Sequence, residues 1–253
     1  MQALILAAGM ATRLRPLTDK CPKCLLEIGG TTLLERTISA IIDAGITDIT
    51  IVTGYKADMI RDFLASDAMK PLTSRLSSLT FIHNEDYCST NNIYSLWLAK
   101  EKVCGSDFLL MDSDIYCDPK LVAAIANQPE SALALNRHEC GEEEIKVIVD
   151  QSGKITEISK VCSITDAIGE SVGVEKMTTD YSNALYKELD KMCGEEGLIN
   201  VFYERAFERL IPQGHTFRVV DTTDFFSMEL DTVEDFKDAS SSILGKVSPI
   251  SAS

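Results

Sequence analysis

Short apolar segments alternate with amphipathic segments through the first half of this chain. Strands are predicted at residues 3–7, 48–52, 80–84 and 108–111, and helices at 33–44, 57–65, 93–100 and from 119 onward. Thr32 and Glu35 form a helix-capping pattern at the start of the first helix. Because parallel neighbours need a crossover connection, usually a helix, this alternation favours a parallel sheet. We therefore predict a doubly wound, mostly parallel, Rossmann-like α/β sheet.

The pattern changes after residues 131–136. A strand is predicted at 131–136, strands at 145–149 and 155–160, helices at 180–192 and 201–210, and strands at 217–220 and 226–230. The segment Asp150-Gln151-Ser152-Gly153 is typical of a β-hairpin turn. We predict a small β-hairpin and helical insertion within one domain of residues 1–238. The serine-rich segment 239–253 is interpreted as a tail or a linker.

Net charge narrows the range of partners. The chain has 24 basic and 39 acidic residues, a formal charge of −15. Such a surface repels nucleic acid and anionic membranes, so neither is an expected partner. Basic residues are nevertheless concentrated within 11–27, as Arg13, Arg15, Lys20 and Lys23. A small phosphorylated ligand therefore remains compatible with the sequence.

No hydrophobic signal or membrane anchor is expected. Residues 2–8 are apolar but lack a preceding basic region, and no run approaches the roughly 20 apolar residues that cross a bilayer. The eight cysteines are scattered through the chain, as expected for reduced thiols. We expect a cytoplasmic location.

Two cysteines form a C-x-x-C motif, Cys21 and Cys24, which suggests either a redox pair or half of a zinc site. A structural zinc site needs four ligands, and no second cysteine or histidine pair accompanies the motif. The motif also lies well beyond the first strand rather than directly after it. We predict that both thiols pack the loop next to Lys23.

Polar segments follow two of the predicted strands. In an open parallel sheet, ligands bind beyond the carboxyl ends of the strands. Residues 7–23 contain small residues that allow close backbone approach to a phosphate, and Arg13 and Lys23 can neutralise a polyphosphate. The same composition also fits a plain turn with surface cations. Asp112 and Asp114 follow the strand at 108–111 and suit a divalent cation, although a solvated turn has the same residues.

The first loop resembles the signature of the nucleotidyltransferases that make nucleotide-activated sugars and alcohols. The matching residues, in order, are Leu6, Ala7, Ala8, Gly9, Arg13, Leu14, Pro16, Leu17, Thr18, Pro22 and Lys23. The family often has a glycine where this chain has Ala11. The resemblance implies that Arg13 and Lys23 are catalytic and hold the triphosphate.

Residues 84–96 are similar to a segment of the phosphocholine cytidylyltransferases and of their relatives that activate 2-aminoethylphosphonate. Taken alone, Asn91-Asn92 also predicts a helix cap. The resemblance implies CTP as the nucleotide, although nothing in the residues excludes UTP. The implied nucleotide-binding residues are Leu6, Ala8, Gly9, Met10, Arg13, Lys23, Asn84, Ser89, Thr90, Asn91 and Asp112.

The same resemblance implies Mg²⁺ on Asp114 and Asp231, and a catalytic, acceptor-binding role for Lys160 at the end of the hairpin. Glu229, in a late strand, is predicted to bind the acceptor as well. The predicted reaction joins CMP from CTP to phosphocholine or 2-aminoethylphosphonate and releases pyrophosphate. A choline head favours an aromatic cage with a carboxylate, and a primary ammonium favours carboxylates and carbonyls. The aromatic residues available for a cage are Tyr94, Trp97, Tyr116, Tyr186, Tyr203 and Phe226. Phosphocholine is the preferred acceptor, with 2-aminoethylphosphonate as the alternative.

Two other functions are compatible with the fold: a hexose-1-phosphate nucleotidyltransferase, and a non-catalytic nucleotide-sensing subunit. The latter is expected to lack the metal carboxylates or the phosphate cations, and this chain has both. A homodimer or a fusion to a second enzyme is compatible with the sequence, and the serine-rich end fits a fusion.

Overall fold

A nine-stranded sheet runs through the computed structural model, which describes residues 1–237 and 239. The strands, in chain order, are β1 (Gln2–Ala7), β2 (Glu27–Ile28), β3 (Thr31–Thr32), β4 (Asp48–Thr53), β5 (Ser78–His83), β6 (Phe108–Asp112), β7 (Ile115–Cys117), β8 (Ala132–Asn136), β9 (Lys146–Val149), β10 (Ile155–Ser159), β11 (Gly169–Met177), β12 (Arg218–Asp221) and β13 (Ser227–Glu229). The α-helices are α1 (Leu33–Asp43), α2 (Ala57–Ala65), α3 (Lys70–Thr73), α4 (Asn92–Leu98), α5 (Lys100–Val103), α6 (Pro119–Ala126), α7 (Thr179–Leu189) and α8 (Glu204–Leu210).

Four neighbouring strands, β6-β1-β4-β5, form a parallel half of the main sheet. The antiparallel strand β11 continues the sheet beyond β6 and pairs with both β8 and β9. The hairpin β9–β10 completes that edge, and β12 lies parallel to β8. The predicted α/β sheet is confirmed, with its parallel strands at the centre and an antiparallel extension on one side.

Apolar side chains of β1 alternate between the two faces of the sheet. Leu4 and Leu6 pack with residues of α4, α5, α7 and α8, whereas Ala3 and Ile5 pack with residues of α1, α2 and α6. This period of two is what a strand buried on both faces requires. The sheet is therefore covered by helices on both sides, as the doubly wound prediction states.

Strand β11 is absent from the sequence-based prediction. Its sequence, GESVGVEKM, contains no continuous apolar run, and Glu175 and Lys176 are buried within it. Both charged side chains have internal partners: Ser171 Oγ donates to Glu175, and Lys176 donates to the backbone carbonyl of Gln128. Because the strand buries charged residues among its apolar ones, hydrophobic periodicity cannot reveal it.

Several predicted boundaries differ from the structure. The predicted helix at 201–210 begins at Glu204, and the one at 180–192 ends at Leu189 and continues as a π-helical turn. The capping prediction is confirmed, since Thr32 Oγ1 accepts from the Glu35 backbone N–H at 3.1 Å.

The predicted tail, 239–253, lies outside the described residues except for residue 239, which is buried near Leu230. The boundary at residue 238 therefore stays a prediction. Among residues 1–237 and 239, none of the helices is both long enough and apolar enough to span a bilayer.

Candidate active site

A cavity of about 300 Å³ lies at the carboxyl ends of the central parallel strands. Its walls come from the loop after β1, the segment that leads into α4, the turn after β6 and the end of β13. Twelve of the predicted site residues line it: Leu6, Ala8, Gly9, Arg13, Lys23, Asn84, Thr90, Asn91, Asp112, Asp114, Glu229 and Asp231. Three others, Met10, Ser89 and Lys160, are not among its lining residues, and Lys160 lines a smaller adjoining cavity. The roles of all these residues stay predictions.

The loop after β1 is open at Gly9 and is held by a hydrogen bond at Ala11. A Cβ atom at Gly9 would meet nothing within 4 Å, so the backbone here is open to a ligand. Ala11 has a left-handed backbone (φ 46°, ψ 54°), which is the conformation that favours glycine at this position. The Thr18 hydroxyl donates to the Ala11 carbonyl at 2.9 Å and holds the turn. This chain therefore has alanine in place of the family's glycine at a position where the backbone conformation favours glycine.

Lys23 is the central cation of the cavity. It is only 8% exposed, and Nζ lies 2.8 Å from Asp114 Oδ2 and 2.8 Å from Asp231 Oδ1. Burial opposes its charge, but the carboxylates of Asp114 and Asp231 outweigh that effect and raise the pKa of Lys23. Arg13, which is largely exposed, forms an ion pair with the other oxygen of Asp231. Two cations and two carboxylates thus form one linked group.

Glu229 joins this group as a third carboxylate. Carboxylate oxygens of Asp114, Glu229 and Asp231 lie within 4.8 Å of one another. Although the residue has substantial exposed surface, desolvation of the carboxyl, together with the charges of Asp114 and Asp231, raises the pKa of Glu229 to about 8. Hard oxygen ligands converging in this way fit Mg²⁺. Sequence reasoning assigned Glu229 only to the acceptor, whereas the structure also places it with the predicted metal ligands.

Asp112 differs from Asp114 in its surroundings. Tyr203 Oη donates to Asp112 Oδ2 at 2.9 Å. Burial, reinforced by the charges of Asp114 and Glu204, raises the pKa of Asp112 well above its usual range. Gly173 has φ +75°, and a Cβ there would lie 3.0 Å from Asp112 Oδ2, so a glycine lets β11 approach this carboxyl.

The segment before α4 is held by its own asparagines. Asn84 is buried, its Nδ2 donates to Thr90 Oγ1 and to Ser95 Oγ, each at 3.1 Å, and its Oδ1 accepts from the Asp86 N–H. Asn91 caps α4 by accepting from the Asn92 N–H at 2.8 Å. Asn91 therefore caps the helix, as its sequence predicts, and also lines the cavity in which it is predicted to bind the nucleotide.

Within residues 1–237 and 239, Cys21 and Cys24 belong to no cluster of three or more possible metal ligands. All eight cysteines lie in the described residues, and none forms a disulfide. Burial raises the pKa of Cys24 to about 12, so its thiolate is not accessible at neutral pH. Cys24 lies in the wall of the cavity next to Lys23, a position consistent with the predicted packing role.

Lys160 lines an adjoining cavity of about 70 Å³, directly after β10. Its Nζ lies 3.7 Å from Glu143 Oε2 and 4.7 Å from the ring centroid of Phe202. Phe202, Glu170 and Glu204 also line this cavity and were not predicted as site residues. The sequence offers no signal for them, because they come from separate segments that only the fold brings together.

Comparisons with known proteins identify the family of this chain. The family model described as nucleotidyl transferase matches residues 2–141. Over 116 residues the chain is 36% identical to a choline-phosphate cytidylyltransferase of Streptococcus pneumoniae, covering 46% of this chain and 45% of that protein. Over 210 residues it is 28% identical to a 2-aminoethylphosphonate cytidylyltransferase of Lancefieldella rimae, covering 80% and 77%. The first of these matches thus spans less than half of the relative's length.

Among solved structures, CTP:phosphocholine cytidylyltransferase from Streptococcus pneumoniae superimposes with a TM-score of 0.78 at 23% identity, covering 96% of this chain and 98% of that one. This likeness supports the fold. The resemblance inferred from the two loop motifs is confirmed, and the chain belongs to the nucleotidyl transferase family.

Proposed function

We propose that this protein is a Mg²⁺-dependent cytidylyltransferase that joins CMP from CTP to a small amino-alcohol phosphate or its phosphonate analogue. The observation that carries the proposal is the placement of Lys23 between Asp114 and Asp231, beside Arg13 and the open backbone of Gly9. Triphosphate cations and metal carboxylates thus meet in one cavity.

The choice of CTP is supported by the relatives named above, both of which are cytidylyltransferases. We assign the polyphosphate of CTP to the two cations of the cavity, Arg13 and Lys23. Arg13 is exposed and pairs with one oxygen of Asp231, whereas Lys23 is buried between two carboxylates. Arginine suits paired phosphate oxygens, and lysine acts as a compact point charge.

The proposed chemistry is an in-line displacement at the α-phosphorus of CTP. An acceptor oxygen forms the new P–O bond, while the bond to the bridging oxygen breaks and pyrophosphate leaves with the electron pair. The acceptor is already an anion at neutral pH, so no strong general base is needed. Catalysis then depends on positioning and on charge neutralisation by Arg13, Lys23 and Lys160.

Asp114, Asp231 and Glu229 are the residues proposed to hold the ion. Bound Mg²⁺ supplies charge compensation for the phosphate oxygens. Since Lys23 contacts two of these carboxylates, it also keeps their negative charges compensated in the free protein.

The test is pyrophosphate release across a panel of acceptors with CTP or UTP, with Mg²⁺ or with excess chelator. We expect turnover with CTP and an amino-alcohol phosphate or aminoalkylphosphonate, and loss of it with chelator. Turnover only with a hexose 1-phosphate would replace the proposal by sugar activation. Nucleotide binding without turnover on any acceptor would favour a non-catalytic subunit.

A further inference from the structure

The cavity that contains Lys160 adjoins the proposed metal carboxylates and is rich in carboxyl groups. It is lined by six carboxyl-bearing residues: Asp112, Asp114, Glu143, Glu170, Glu204 and Glu229. Lys160 is the single lysine or arginine among its lining residues, all of which belong to the described part of the chain. At about 70 Å³ the space holds roughly two water-sized groups. Its size and charge suit a small cationic group.

Glu204 has the feature that points to a ligand. The residue is 6% exposed at the start of α8, and its Oε2 atom is buried with no hydrogen-bond partner in the described structure. A buried acceptor that stays unpaired costs about 1–3 kcal/mol. Glu204 also lines the cavity, so an N–H donor bound there lies next to a carboxyl group that lacks one hydrogen-bond partner.

The aromatic residues do not form a cage around this cavity. Phe202 is the single aromatic residue among its lining residues in the described chain, and Lys160 lies over that ring. Of the aromatic residues considered from the sequence, Tyr186 and Tyr203 are buried in the core. Tyr116 and Phe226 pair with each other along a separate groove, 5.2 Å between ring centroids. A trimethylammonium head, which has no N–H, therefore finds neither a cage nor a use for the unpaired oxygen.

We propose that this cavity binds an ammonium group that carries N–H, with Glu204 as its hydrogen-bond acceptor. The inference rests on the proposed function and narrows its acceptor to a phosphate or phosphonate that ends in a primary amine. Lys160, in the same cavity, then faces the anionic end of the acceptor, while Glu204 and Glu170 surround its amine. The site is expected to prefer an ammonium that donates N–H hydrogen bonds over a trimethylammonium, which has none to donate.

The test is a series of acceptors that differ only in N-methylation: phosphoethanolamine and its mono-, di- and trimethylated forms, each with CTP and the wild-type enzyme. We expect kcat/KM to fall at least tenfold from the unmethylated to the trimethylated acceptor, mainly through KM. Equal or better use of the trimethylated acceptor overturns the inference. Since this series uses the unaltered protein, it does not depend on the folding of any variant.

Glu204→Met removes the acceptor oxygen while filling the space with an apolar chain. It should raise KM for phosphoethanolamine about tenfold, leave KM for CTP unchanged and remove most of the discrimination between the two ends of the series. Glu208→Gln, on the same helix and paired with Arg205, is the matched control. A variant that keeps full discrimination contradicts the role of Glu204.

Calorimetric binding of the same acceptors, with α,β-methylene CTP bound, separates the two proposals. Selective binding of the primary amine without turnover would refute the cytidylyltransferase activity and keep the ammonium site. Turnover without selectivity for the primary amine would support the cytidylyltransferase activity and refute the ammonium site. Absence of both binding and turnover with every acceptor contradicts both.

Discussion

Lys23 Nζ lies 2.8 Å from Asp231 Oδ1, although 208 residues separate the two in the chain. The same ammonium contacts Asp114, so one side chain ties the loop after β1 to the turn after β6 and to the segment after β13. The charges of Lys23 and Arg13 hold the pKa of Asp231 below its usual value, even though burial acts in the opposite direction. The cavity is therefore preorganised by opposite charges before any ligand enters.

Lys23→Ala should reduce turnover by about two to four orders of magnitude, because both the phosphate contact and the partner of two carboxylates are lost. Unfolding free energy should fall by only about 1–2 kcal/mol, less than for a fully buried pair, since Asp114 and Asp231 are each 26% exposed. Steady-state pyrophosphate release and urea unfolding measure the two effects. The control is Lys20→Ala, an exposed lysine in the same loop, which should change neither. A near-normal rate in folded Lys23→Ala would contradict its proposed role.

The sequence allowed the parallel strands to be predicted because β1, β4 and β6 are short apolar runs with helices between them. It did not reveal β11, where Glu175 and Lys176 are buried with internal partners, because a polar sequence carries no periodic signal for burial. The pairing of β11 with β6 joins residues far apart in the chain, so it depends on how the whole chain folds.

The candidate site divides in the same way. Arg13 and Lys23 could be identified because one contiguous loop carries an ordered motif. Glu204 and Phe202 could not, since their relevance arises only from the packing of the start of α8 against the hairpin and the turn after β6. Glu229 was identified, but its convergence with Asp114 and Asp231 depends on three-dimensional distances.

Gly54→Ala should weaken nucleotide binding without touching the ligand. A Cβ at position 54 would lie 2.7 Å from the Ala8 carbonyl oxygen and 2.7 Å from Tyr87 Cβ, so the loop after β1 must move. We expect KM for CTP to rise about tenfold, with a smaller change in KM for the acceptor. The control is Gly194→Ala, where the nearest atom is 3.6 Å from the added Cβ. Equal kinetics in the two variants would exclude this packing role for Gly54.

Cys21→Ser combined with Cys24→Ala should retain at least half of the wild-type activity. Burial raises the pKa of both thiols, so neither is poised for nucleophilic or redox work. Alanine is used at position 24 because a buried hydroxyl without a partner would add its own cost. The measurement is turnover with and without a reducing agent, alongside circular dichroism. Abolished turnover in a folded double variant would restore a function for the sulfurs.

Stability should fall with rising pH through the ionisation of Glu204. Burial raises the pKa of this carboxyl in the folded protein to about 7, from an ordinary value of 4.5, while Lys160 acts in the lowering direction. The folded state thus binds the proton more tightly than the unfolded state does. The resulting stabilisation of the fold is fully present below pH 4.5 and is lost as the pH rises past 7. The difference corresponds to about 3 kcal/mol at most. Asp112 and Glu175 titrate in the same buried cluster.

Glu204→Gln isolates this contribution because it removes the charge at nearly constant volume. Relative to wild type, the variant should gain up to about 3 kcal/mol of unfolding free energy between pH 4.5 and pH 8. Urea unfolding of both proteins at the two pH values gives the comparison, and Glu208→Gln, measured in the same way, is the control. If Glu204→Gln instead differs from wild type by the same amount at both pH values, Glu204 has the same pKa in the folded and unfolded protein. Its burial would then be compensated by a partner within the protein, and the unpaired oxygen would no longer point to a bound ammonium.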